Sequence, residues 1–334
     1  MRSTARREQP AEAPRRGRHR VRGRGMHRAR PRRGLTVSPD ETPRPAGRSV
    51  ASEVMISHHS VDGFHLAHDR SGSGAPAVLL HGWPGYRGDF ADVAGLLDAD
   101  VICPDLRGFG DSDKHADGDY TAAGQARSVV GLMDELGVDR AVLAGYDIGS
   151  RIAQVVATEY PDRVSALVLA PPLPGIGRRI LDEDAQREFW YQTFHRLPIA
   201  HEIIDGRPEI VRAYLRHFWT HWSGPDFTPH DDLLDRLARY YGAPGAFTAS
   251  IAWYRAGAAT VARSLAESPP QRRIDVPTTV LWPEFDPIFP RAWSDRVDEW
   301  FSNATLRLLD GAGHFVPVEA PHEFASTIQD AVDM

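Results

Sequence analysis

The sequence of 334 residues is long enough for one large domain or two modest ones, and its 42% hydrophobic content suits a globular chain with a substantial core. No run of about 18 apolar residues occurs, which excludes a membrane-spanning helix, and a single cysteine excludes an intrachain disulfide framework. The net charge of −6 is uneven: residues 1–50 hold 15 Arg, no Lys and 4 acids, a net +11, which leaves −17 for the remainder.

Residues 1–54 are rich in Arg, Pro and Gly and lack apolar periodicity, so a disordered tail is expected there. It reads as a solvated tail, or as translated sequence ahead of a natural start at Met55. An arm for nucleic acid or anionic membrane is the functional alternative. No apolar stretch follows its Arg pairs, so no export signal is expected, and the chain is expected to be cytoplasmic.

From residue 56 the pattern becomes regular. Residues 56–70 alternate around Asp62-Gly63, which predicts a hairpin. Short apolar runs predict buried strands at 77–80, 99–103, 140–144, 166–170, 278–282 and 304–309. Helices are predicted at 121–136, from 151 onward, and at 319–332. Cys103 falls within a strand and reads as a small buried hydrophobe. Strands alternating with helices predict a mostly parallel sheet covered on both faces, with ligands beyond the carboxyl ends of the strands. Residues 173–265 break this rhythm: they are helical and aromatic, and read as a lid between core segments 55–172 and 266–334. No nucleic-acid surface is expected on the folded part, and homo-oligomerisation is left open.

The chemistry centres on Gly145-Tyr146-Asp147-Ile148-Gly149. Between a strand and a helix, this Gly-x-nucleophile-x-Gly spacing is that of a nucleophile elbow, with Asp where Ser is usual. An Asp capping the following helix is the structural alternative. A Ser alkoxide attacking saturated carbon forms an ether that water does not cleave. A carboxylate forms an ester that an activated water can hydrolyse, so Asp suits epoxides, alkyl halides and haloacids. His314, in Gly311-Ala312-Gly313-His314-Phe315 after the last strand, is the expected general base. The loop after 278–282 offers Glu284 and Asp286 to orient it, with Asp286 preferred. The backbone amides of Trp83 and Ile148 are the expected oxyanion donors. His81 and Arg107 read as structural. His217 and His221 share a helix face but lack a third metal ligand, so no metal is expected, and no other cofactor.

These motifs, His81-Gly82-Trp83-Pro84 and the Asp147 turn above all, make residues 55–334 resemble the α/β-hydrolase superfamily, and within it the epoxide hydrolases. The resemblance implies an α/β-hydrolase fold and two lid tyrosines that bind and protonate the epoxide oxygen. Phe189-Trp190-Tyr191-Gln192 looks like the first tyrosine motif and Trp253-Tyr254-Arg255 like the second. The implied substrate is an apolar epoxide, opened by water to a vicinal diol. Haloalkane dehalogenases of this superfamily place Trp after the nucleophile, where this chain has Ile148. Haloacid dehalogenases place two Arg there, of which only Arg151 is present. Dehalogenation is therefore the alternative activity, and a non-catalytic binding protein on the same scaffold is the third.

Overall fold

The computed structural model describes residues 53–56, 60–257 and 261–334. The expected tail 1–54 lies outside them, apart from the start of the first strand. Eight strands form one sheet: β1 (Glu53–Ile56), β2 (Ala67–Gly72), β3 (Pro76–Leu80), β4 (Asp100–Pro104), β5 (Ala141–Gly145), β6 (Val164–Leu169), β7 (Thr278–Pro283) and β8 (Ala304–Leu309). Their spatial order is β1-β2-β4-β3-β5-β6-β7-β8. The first two pairings are antiparallel and the rest parallel. The observed strand bounds differ from the predicted ones by one or two residues.

Between β3 and β4 lies α1 (Ala91–Ala94), between β4 and β5 α2 (Ala122–Glu135), and between β5 and β6 α3 (Ile148–Glu159). Thr121 starts α2 by accepting the Gly124 amide on its hydroxyl, an N-cap. At Asp62-Gly63 both residues have positive φ, 54° and 82°, as the tight hairpin turn requires. The central strands are largely apolar because helices cover both faces. Strand β8 is an exposed edge, blunted by an Arg307–Asp330 ion pair.

Between β6 and β7 the chain forms a helical insertion: α4 (Glu183–Glu188), α5 (Trp190–Arg196), α6 (Pro198–Ile204), α7 (Pro208–His221), α8 (Asp231–Gly242), α9 (Ala246–Ser250), α10 (Ala252–Arg255) and α11 (Val261–Ala266). A short α12 (Val316–Glu319) precedes α13 (Pro321–Val332), the C-terminal helix predicted at 319–332. Pro321 has no amide hydrogen to continue the first, so it opens the second.

Two strand pairings position the site. Strands β3 and β5 are parallel neighbours with Leu80 opposite Gly145, so the loop from His81 and the elbow at Asp147 emerge side by side. Strands β7 and β8 are parallel neighbours with Pro283 opposite Leu309, so the loops bearing Asp286 and His314 do the same.

Candidate active site

Asp147 has φ 49° and ψ −125°, a left-handed conformation that an L-residue adopts only when its surroundings enforce it. The two glycines make the turn feasible by close approach. A Cβ on Gly149 would overlap the Leu80 carbonyl, and one on Gly145 would fall 2.7 Å from the Gly149 carbonyl carbon. Asp147 stands at the N-cap position of α3, yet its side chain makes no capping hydrogen bond. Its Oδ1 instead accepts the Trp83 amide at 2.8 Å. The helix-cap alternative therefore does not account for this carboxylate.

His314 Nδ1 lies 2.8 Å from Asp286 Oδ2, and the other Asp286 oxygen accepts the Ile288 and Phe289 amides at 3.0 and 3.1 Å. Glu284, the other acid in this loop, accepts the Gly311 amide instead. His314 Nε2 lies 3.4 Å from Asp147 Oδ2 and, among the described residues, has no hydrogen-bond partner. Burial works against charging this imidazole, but the Asp286 carboxylate and the contacts to Asp147 outweigh it and raise its pKa to about 10. The protonated form of the imidazole is therefore the favoured one in the resting site.

Tyr191 on α5 and Tyr254 on α10 are both buried, with ring centroids 5.6 Å apart and nearly perpendicular. The Trp83 ring stacks parallel to Tyr191 at 5.7 Å and meets Tyr254 edge-on at 5.9 Å. Burial, and then the Asp147 charge, holds the Tyr191 phenol well above its ordinary pKa. Burial, Tyr191 and Asp147 do the same for Tyr254. Both phenols thus remain proton-bearing donors at neutral pH. Asp147, Ile148, Tyr191 and Tyr254 line one narrow cavity, with Leu173, Ile180, Phe189 and Phe289 among its apolar walls.

The residues read as structural behave so. The His81 ring bridges the Gly82 carbonyl and the Leu106 amide, and Arg107 is buried over the Phe64 ring while pairing with Asp62. His221 pairs with Glu188. Cys103 is buried.

Sequence reasoning missed three supporting carboxylates. Asp89 Oδ2 accepts both the Tyr146 hydroxyl and the Tyr86 amide, which ties the elbow to the Trp83 loop. Burial raises its pKa to about 7. Glu319 accepts amides from Gly224, Gly313 and Phe315, clamping the His314 loop to the insertion. Glu267 pairs with Arg151. No spacing motif marks any of them.

Residues 76–321 match the family model described as alpha/beta hydrolase fold, and the chain belongs to that family. It is 29% identical over 284 residues to a soluble epoxide hydrolase of Corynebacterium sp. (strain C12), an alignment covering 80% of this chain and 93% of the relative. A fluoroacetate dehalogenase of Burkholderia sp. is 30% identical over 197 residues, 56% of this chain and 64% of that protein. The solved structure of the epoxide hydrolase CorEH without ligand superposes with a TM-score of 0.72 at 26% identity, covering 84% of this chain and 99% of that one. The chain is thus a hydrolase of this fold whose relatives include epoxide hydrolases and dehalogenases.

Proposed function

We propose that the protein is an epoxide hydrolase acting through an ester on Asp147. The observation that carries this reading is the meeting of a strained, uncapped Asp147 carboxylate and two buried phenols in one cavity. The insertion, residues 173–265, serves as the lid that brings those phenols. Tyr191 and Tyr254 donate to the epoxide oxygen. Asp147 Oδ2 attacks an epoxide carbon, the carbon–oxygen bond opens, and a phenolic proton passes to the departing alkoxide. Oδ1 stays on the Trp83 amide as the ester carbonyl.

Esterification removes the negative charge beside His314 Nε2, so the imidazolium gives up its proton more readily than in the resting site, and that proton restores the phenol that protonated the alkoxide. The neutral His314, oriented by Asp286, then takes a proton from water as the water adds to the ester carbonyl. The Trp83 and Ile148 amides stabilise the oxyanion, which collapses to free Asp147 and a vicinal diol. A cytoplasmic setting is compatible with the lone, buried Cys103.

The direct test is His314→Ala soaked with a small terminal epoxide and examined by peptide mass spectrometry. The expected result is an adduct on the peptide carrying Asp147 that persists because its hydrolysis is blocked. No adduct, across aliphatic and aromatic epoxides, would falsify the ester. Relatedness to a fluoroacetate dehalogenase makes halide displacement by the same carboxylate the second reading. An adduct formed only from haloalkanes or haloacids, with halide release by the wild type, would select it.

A further inference from the structure

Two cavities lie in file along one face of α3. The catalytic cavity is bounded on that helix by Asp147, Ile148 and Arg151. A second, of about 230 Å³ and open to solvent, continues over Arg151, Gln154, Val155 and Thr158. Residues at these spacings share a helix face. With the helical rise of about 1.5 Å per residue, the path from Asp147 meets Arg151 after about 6 Å and Thr158 after about 16 Å.

Four residues line both cavities, Arg151, Trp253, Arg263 and Glu267, and two of them form an ion pair across the boundary. Arg151 Nη2 lies 2.9 Å from Glu267 Oε1, and the side chains are only 22% and 16% exposed. The second Glu267 oxygen accepts the Gly175 amide at 2.9 Å, which anchors it. Arg151 and Glu267 both line both cavities. The walls nearer Asp147, including Leu173, Ile180 and Phe289, are apolar. An alkyl chain lying against those walls meets charge one helical turn from the nucleophile. To pass, it would have to part the pair and leave partly buried charges against hydrocarbon, which is costly.

We propose that the Arg151–Glu267 pair is a length-determining partition. It closes the catalytic cavity to long unbranched substrates, and the cavity beyond is the space such a chain occupies once the pair is removed. The naming of epoxides as those substrates rests on the reading of Asp147 given above.

The experiment compares wild type with Glu267→Ala on terminal epoxides from epoxybutane to epoxydecane. The ratio of kcat/KM for epoxydecane to that for epoxybutane is expected to rise at least about tenfold in the variant, the gain from burying about two further methylenes. Arg151→Ala leaves Glu267 on the Gly175 amide and should give the same shift, so it carries the test if Glu267→Ala does not fold. Adding Val155→Trp to either variant refills the second cavity and should return the ratio toward wild type. Affinities of the matching linear alkanols, measured by calorimetry, read the partition independently of the chemistry. Ratios that stay put in both single variants, for epoxides and alkanols alike, overturn the partition. Alkanol ratios that shift while no epoxide is ever opened uphold it and overturn the epoxide reading instead.

Discussion

On the sheet side of the site each reactive group is oriented by hydrogen bonds to the backbone or to a carboxylate, whereas on the insertion side the two tyrosines are held by ring packing and by the bond between their own hydroxyls. Asp147 is held by the Trp83 amide, Asp286 by two amides, and His314 by Asp286. Tyr191 and Tyr254 are wedged instead among Trp83, Phe218, Trp222 and His195. The two phenol hydroxyls also hydrogen-bond to each other, and the Gln192 side chain reaches the Tyr191 hydroxyl at a long 3.4 Å. Hydrogen bonds fix direction steeply, while ring contacts fix position and tolerate rotation about the contact. The sheet side thus sets the bond-making geometry, and the insertion side supplies two donors that can adjust to the alkoxide they receive.

The largest effect is expected on the sheet side, from Asp286→Asn. The variant loses the carboxylate that holds the His314 tautomer, so ester hydrolysis should slow by roughly a hundred- to ten-thousand-fold while alkylation of Asp147 is less affected. Single-turnover quenching separates the two steps, and equal slowing of both would break the division of labour. The same variant changes the pH dependence of stability. The folded-state pKa of His314, about 10, lies above the unfolded value near 6.5. Its stabilisation is therefore fully present below about pH 6.5 and is lost as the pH rises toward 10. Melting temperatures followed across that alkaline range should fall less steeply in Asp286→Asn than in wild type.

On the insertion side, Tyr191→Phe and Tyr254→Phe each remove one donor to the forming alkoxide. Such a donor contributes about 3 kcal/mol, so each single change should slow alkylation about a hundredfold and the double change should abolish it. Phe preserves the ring contacts, so folding should survive, as circular dichroism can verify. Slow hydrolysis of a preformed ester with normal alkylation would place these phenols in the wrong half of the reaction.

The same contrast governs how much of the molecule the sequence discloses. The elbow, the His314 loop and the central strands are legible because local rules write them: glycines flank a turn, and apolar runs stop where the sheet stops. The preference for Asp286 over Glu284 rests in the sequence on residue type and the following Pro, and in the structure Asp286 lies against His314 while Glu284 accepts the Gly311 amide. Asp89, Glu319 and the Arg151–Glu267 pair were invisible. Each has a partner far along the chain, 57, 95 and 116 positions away, and all the partners of Glu319 are backbone amides, which nearly every residue carries. The closing helix expected at 319–332 is α13, which begins two residues later at Pro321, and the short α12 ahead of it carries no signal in the apolar pattern.

The smallest effect tests the contrast most finely. If ring packing and the Tyr254 hydroxyl suffice to orient Tyr191, Gln192 is dispensable to its aim. At 3.4 Å its hydrogen bond to the phenol is at the weak end of the range, contributing about 0.5 kcal/mol or less. Gln192→Leu keeps the side-chain volume and removes that bond, so alkylation should slow by no more than about twofold. Stopped-flow tryptophan fluorescence can follow the step, since Trp83 stacks on Tyr191 beside the nucleophile. A loss beyond about tenfold would mean that the Gln192 hydrogen bond aims the phenol after all, and the insertion would then be built by the same rule as the sheet.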